Sequence, residues 1–210
     1  MISYDKLKET VISLDFDFFD SGDYNINLIF ERTNDTFTNY MTDLCHLAFK
    51  VGEHKQVISF KCSTKPGLIG SVLKPVTING VTGTAVIVTP QQVKGGFKWI
   101  DKKTQDLLTF DNQDQFYRKK WNLCSFFREA LPFKYYRDFD KDLEIDKVQL
   151  QNDIPGTHFH KGAEPININS LGCCTALEKD IKMIEPIIRQ AVKNYGLYFT
   201  PTFINSTDIK

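Results

Sequence analysis

Residues 175–196, TALEKDIKMIEPIIRQAVKNYG, set Leu177, Ile181, Ile184, Ile188 and Val192 three or four positions apart, and charged residues fill the other face. That is the period of an amphipathic α-helix, and Gly196 supplies its stop. Pro186 falls inside the helix and is expected to kink it. A second helical pattern is read in DNQDQFYRKKWNLCSFFREAL, where Phe116, Trp121, Leu123, Phe126 and Phe127 fall near helical spacing and Pro132 ends the run.

Most of the remaining chain reads as strand. YNINLIFERT alternates, with Ile26, Leu28 and Phe30 on one face, as a half-buried strand does. CHLAFKVG and KQVISFKCST flank the turn Gly52–Lys55 and predict a hairpin. A Gly- and Pro-dense stretch holds the short run GTAVIVTP, KYYRDFDKDLEIDKVQL returns to strand plus an acidic loop, and LYFTPTFI is a last strand. The expectation is therefore one α+β domain over residues 1–210. It is mainly β, sandwich or barrel-like, with one helix before the 158–174 motif and one long C-terminal helix after it. The first 60 or so residues are β-rich and can be a family-specific extension.

Composition narrows the function classes. Lys and Arg total 26 and so do Asp and Glu, which gives no electrostatic case for nucleic acid or an anionic membrane as the main partner. No run of 18 apolar residues exists, so no transmembrane helix is expected. The N-terminus is broken by charges and has no apolar stretch of a secretory leader, which predicts synthesis in the cytoplasm without a signal peptide. Five cysteines, an odd number without framework spacing, favour a reducing compartment at synthesis.

Reactive residues concentrate in HFHKGAEPININSLGCC, from His158 to Cys174. Ser170-Leu171-Gly172-Cys173 presents a thiol behind a glycine, which permits a tight turn. Cys173 stands shortly before the long helix, whose N-terminal dipole is expected to lower a thiol pKa. His158 and His160 are two apart, so on a strand both face one side and can address the thiol, with one serving as base. The bland alternative makes Cys173 and Cys174 small core residues. A zinc site is disfavoured, because adjacent cysteines chelate one ion poorly and Cys45, Cys62 and Cys124 form no second pair. No metal and no cofactor is expected.

The pattern HFHKG … SLGCC resembles the signature of L,D-transpeptidase-type catalytic domains. It is closest to the phage and bacterial proteins that carry an Arg-Asp segment, then a histidine, then Ser-x-Gly-Cys. TKPG and GTAVIVTPQQV resemble the start of that group's domain, and the resemblance covers roughly Thr64 to Leu177, about half the chain. It implies Cys173 as nucleophile, His160 as base, and Ser170 and Gly172 as the motif's turn. Leu171 occupies the position of the motif's second histidine, a departure for which His158 can stand in. The family implies a mainly β fold and acyl transfer or hydrolysis on the peptide stems of peptidoglycan through a Cys thioester. It also implies a phage lysis or virion-associated setting, with release to the cell wall. The alternative is a catalytically inactive virion structural or binding protein that keeps the fold. A third reading is a cysteine acyltransferase or protease acting on something other than cell wall.

The segment Tyr136–Asp146 spaces carboxylates at alternate residues. Asp138, Asp140, Asp142 and Asp146 match four positions of a calcium loop, but Leu143 replaces its glycine and Gln149 its last glutamate. The readings are a solvated strand edge, a weak calcium loop, or support for the active site. The resemblance favours the last. It implies that Arg137 pairs with a substrate carboxylate and that Asp138 fixes the tautomer of His160.

Overall fold

The computed structural model describes residues 2–34, 38, 40–67, 77–78, 81–82, 84–103, 114, 125–138, 146–162 and 172–210, with backbone alone for 77–78, 81–82, 84, 137–138, 146 and 148–149. The chain is mostly β, with a sheet curled into a half-barrel and two helices among the described residues. The first helix, α1 (Tyr4–Ser13), precedes strands β1 (Asn27–Arg32), β2 (Asp43–Val51), β3 (His54–Ser63), β4 (Thr77–Ile78), β5 (Val81–Thr82), β6 (Thr84–Ile87), β7 (Gln91–Gln92) and β8 (Phe97–Ile100). Then come β9 (Phe126–Glu129), β10 (Phe133–Asp138), β11 (Asp146–Asp153), β12 (Phe159–Lys161), β13 (Cys174–Ala176), the helix α2 (Glu178–Tyr195), β14 (Tyr198–Phe199) and β15 (Pro201–Asn205). The large sheet runs β14-β8-β9-β12-β13-β3-β2-β1-β15-β7, a smaller one β11-β10-β6, and β4 pairs with β5 alone.

The expected hairpin forms. β2 and β3 stay in register from Asp43↔Cys62 to Val51↔His54, closed by a two-residue loop with Gly52 at φ 57°. β1 is buried along its whole length, because both of its faces are covered. Leu28 and Phe30 enter the main core, whereas Ile29 packs with Ala48 and Ile204 under Tyr4, Leu7 and Val11 of α1. The half-buried expectation for this strand is therefore corrected by a helix on its outer side. Ser3 caps α1 through its side chain, which accepts from the Lys6 N–H at 3.1 Å.

Phenylalanine fills the interior. Phe30 stacks on Phe203 at 4.9 Å and meets Phe159 edge-on at 5.0 Å, and Phe159 lies 5.8 Å from Phe127. Each fully buried ring contributes about 1.5–3 kcal/mol of transfer free energy, so this aromatic stack is a principal source of cohesion. α2 closes the same core with Ile181, Ile184 and Ile188. It runs as one element through Pro186, which is exposed. Arg189 ties it to the end of β8 through Asp101, at 2.5 and 3.0 Å. Among the described residues no helix is long and apolar enough to cross a membrane.

The helix expected over DNQDQFYRKKWNLCSFFREAL is corrected at its end. Phe126 and Phe127 belong to β9, between β8 and β12, and are 1% and 0% exposed. Adjacent buried rings on opposite faces suit a central strand, whereas a one-sided helix would leave one of them outside. Phe116, Trp121 and Leu123 lie outside the described residues.

Candidate functional site

β12 and β13 lie side by side in parallel, with Phe159↔Cys174, His160↔Thr175 and Lys161↔Ala176 in register. His158 and Cys173 immediately precede the starting ends of these two strands. Phe159 and Cys174 enter the core, and within β12 alternation turns His160 toward the other face. The register sets His160 opposite Thr175, with His158 and Cys173 each one residue before the paired strands.

Cys173 is half-buried, and its thiol donates to the Gly156 carbonyl at 3.6 Å. The other described free cysteines, Cys45, Cys62 and Cys174, are buried. Burial first, and neighbouring thiols after it, push those three thiols well above the ordinary value, which makes them inert. Cys174 is a packing residue, as expected.

One expectation about the thiol is corrected. The three residues of β13 and then Leu177 separate Cys173 from the first turn of α2. A strand of that length spans about 10 Å, and a helix dipole acts only over its first turn. That end of α2 instead carries Glu178, whose carboxyl is held at about 2 by hydrogen bonds from Lys182 and Lys161.

The two histidines are held differently. In His160, half-buried, Nδ1–H donates to the Lys161 carbonyl at 2.6 Å. A carbonyl oxygen only accepts, so the neutral ring carries its lone pair on Nε2, which is the form a base requires. His158 is 3% exposed, and its Nδ1 accepts the Glu129 backbone N–H at 3.1 Å. That bond occupies the Nδ1 lone pair and places the ring proton on Nε2.

Glu129 went unseen in the sequence because it fell in the stretch read as a helix. It is 2% exposed, and its carboxyl accepts the Thr157 N–H at 2.8 Å and also the Gly156 N–H. Burial pushes it up to about 9, against the lowering effect of those two bonds. At neutral pH it is a neutral acid holding the Gly156–Thr157 segment, whose carbonyl meets the Cys173 thiol. A buried carboxylate of this kind leaves no mark in a sequence.

Gly172 has φ 140°, and a Cβ there would come 2.9 Å from the Ala85 carbonyl oxygen. The turn before Cys173 therefore packs backbone to backbone on β6, and glycine is required. Ala85 pairs with Arg137, and Thr84 with Asp138. The backbone of the Arg-Asp segment is thus one strand away from the Gly172–Cys173 turn. The side chains of Arg137 and Asp138 lie outside the described structure, as do Ser170 and Leu171. Asp138 ends β10 and Asp146 opens β11, so the acidic segment connects these two strands. Its middle, including Asp140 and Asp142, is outside the described residues.

Along β6 a pocket of about 160 Å³ is lined by Val86, Ile87, Thr89, Tyr136 and two cations, Arg32 and Lys147. The sequence reading did not single out either cation, since their convergence depends on how β1, β6, β10 and β11 come together. A thiol and an imidazole are the minimum for covalent acyl transfer, and the chain carries both residue types on or next to the adjoining strands β12 and β13. No protein-family model, curated protein or solved structure matches the chain.

Proposed function

We propose that the chain is a cysteine-dependent enzyme of acyl transfer. One observation carries this reading: β12, which holds His160, pairs in parallel with β13, the strand Cys173 leads into, and Cys173 is half-buried whereas Cys45, Cys62 and Cys174 are sealed in the core. In the proposed step His160 Nε2 takes the thiol proton and the thiolate adds to an amide carbonyl. The leaving amine departs with that proton, and a thioester remains on Cys173. An amine acceptor then makes a cross-link, or water completes hydrolysis. The substrate class, peptide stems of peptidoglycan, rests on the resemblance of HFHKG … SLGCC to L,D-transpeptidase-type domains. So does the setting in phage lysis or on a virion. The Arg32 and Lys147 pocket suits the carboxylates that end such stems.

A second reading has its own support. The Cys173 proton rests on the Gly156 carbonyl, and Leu171 replaces the motif's second histidine. A virion structural or binding protein that keeps the fold without turnover accounts for both. Iodoacetamide separates the two readings. An activated Cys173 alkylates in the folded protein far faster than an ordinary exposed thiol, and loses that advantage in His160→Ala. Incubation with purified muropeptides, read by mass spectrometry, then tests the substrate class. Cleaved or cross-linked stems, absent with Cys173→Ala, support it, and unchanged stems count against it.

A further inference from the structure

On the outer side of the sheet three strands carry a second constellation, away from Cys173. His46 of β2 is 1% exposed, and its Nε2 lies 2.9 Å from Glu31 Oε2 of β1, itself 8% exposed. Its Nδ1 lies 2.7 Å from Ser59 Oγ of β3. A carboxylate oxygen accepts, so the tautomer this contact selects donates Nε2–H to Glu31 and keeps its lone pair on Nδ1. Ser59 then donates its hydroxyl proton to that lone pair. Glu31 and His46 are buried and the serine is exposed at the end of the relay. Register explains the alignment: His46 faces Ser59 directly across β2 and β3, and Glu31 sits two residues beyond Ile29, the partner of His46 on β1.

We propose that Ser59 is an activated nucleophile, assisted by His46 and Glu31, that reacts with small activated carboxylic esters and comparable phosphorus electrophiles. The physical grounds are those of any serine nucleophile: a base in hydrogen-bond contact, oriented in turn by a buried carboxylate. A purely structural network would hold the same three strands together, but would not need its outermost member to be an exposed hydroxyl. Lys61, two residues along β3 and so on the same face, is exposed and brings an ammonium for the developing oxyanion. The open sheet face gives no walls to bind a long substrate, which is why small, reactive acyl donors are the class named.

The step balances without a further reagent. Ser59 Oγ adds to the ester carbonyl as its proton passes to His46 Nδ1. The alkoxide leaves with that proton, and the acyl group stays on Ser59. Water then adds, gives its proton to Nδ1, and releases the acid as the proton returns to Ser59. With a fluorophosphonate the Oγ–P bond forms, fluoride leaves, and the adduct persists.

The test uses the full chain carrying Cys173→Ala, so that the cysteine site contributes nothing and its failure is distinguishable. A fluorophosphonate is added, the adduct is located by peptide mapping, and hydrolysis of p-nitrophenyl acetate is followed beside it. The expected result is an adduct on Ser59 at a rate at least about tenfold above that of other exposed serines. Ser59→Ala abolishes both the adduct and the ester hydrolysis. Glu31→Gln and His46→Gln, each checked for folding by urea denaturation, slow both about tenfold or more. A Ser59 rate equal to that of other serines overturns the proposal, and so does a rate indifferent to folded Glu31→Gln or His46→Gln. Where neither variant folds, the comparison among serines in the unsubstituted relay decides.

Discussion

Replacing Glu129 by glutamine is expected to stabilise the protein at alkaline pH and change little at acidic pH. In the fold the carboxyl is neutral until about pH 9, whereas an ordinary glutamate ionises near 4.5. Between those values the unfolded chain has lost a proton that the folded chain keeps. Stability therefore falls as pH rises, by about 1.4 kcal/mol per unit, and this contribution is intact only below the unfolded value. From pH 5 to pH 8 the sum is roughly 4 kcal/mol, an upper figure because the buried site relaxes around a charge. Glutamine mimics the protonated acid. Its oxygen accepts from Thr157 and Gly156, and its NH2 takes the place of the O–H at Oε1, which has no hydrogen-bond partner among the described residues. Urea unfolding at pH 5, 6, 7 and 8, read through buried Trp99, checks the prediction. The difference in unfolding free energy between Glu129→Gln and the parent should grow with pH while the other carboxylates cancel. Parallel curves for the two proteins would refute the reasoning.

Gly172→Ala should lower stability by about 1–3 kcal/mol, because φ 140° is strained for alanine and its Cβ meets the Ala85 carbonyl; thermal melting measures the loss, and alkylation of Cys173 reports the shifted turn. Cys174→Ala removes a buried sulfur and should cost about 1–2 kcal/mol in urea unfolding while leaving turnover in place. His160→Ala should slow the chemical step by roughly 10²–10⁴-fold, read as kcat on muropeptides. His158→Ala should cost less in rate but about 1–3 kcal/mol in stability, since the buried Glu129 N–H loses its acceptor.

The elements legible in the sequence are those whose pattern is local. The β2–β3 hairpin announces itself by two apolar runs around Gly52, and α2 by isoleucines at helical spacing. The sequence reading placed Leu177 and Val192 on the apolar stripe. In the fold Leu177 caps the helix and Val192 packs half-buried at the core's edge, while Ala191 is buried in its place. α1 is hard to read in the sequence although Ser3 supplies its cap and Tyr4, Leu7 and Val11 its stripe, because the charges between them mask so short a run. Phe126 and Phe127 misled for the opposite reason. Two adjacent aromatic residues fit either period, and only the flanking strands β8 and β12 decide between them.

The site was legible in its residue types and not in its geometry. The Gly-Cys turn and the paired histidines are plain in the residues, but the pairing of β13 with β12, which sets His160 opposite Thr175, is not. Glu129 became visible only through its burial. Arg32 and Lys147 depend on the meeting of distant strands, as does the Ser59–His46–Glu31 relay. Long-range pairing of this kind is set by the whole sheet, and no window of sequence contains it.

The central claim, that Cys173 carries an acyl group from a peptide stem, is tested most directly by trapping that intermediate. The protein is incubated with purified muropeptides, quenched in acid within the first turnovers, and measured by intact-mass spectrometry with peptide mapping. The account predicts a mass gain equal to the acyl part of the stem, located on Cys173, released by hydroxylamine as a thioester is, and absent in Cys173→Ala. An adduct on another residue, or stem turnover that persists in Cys173→Ala, would contradict it.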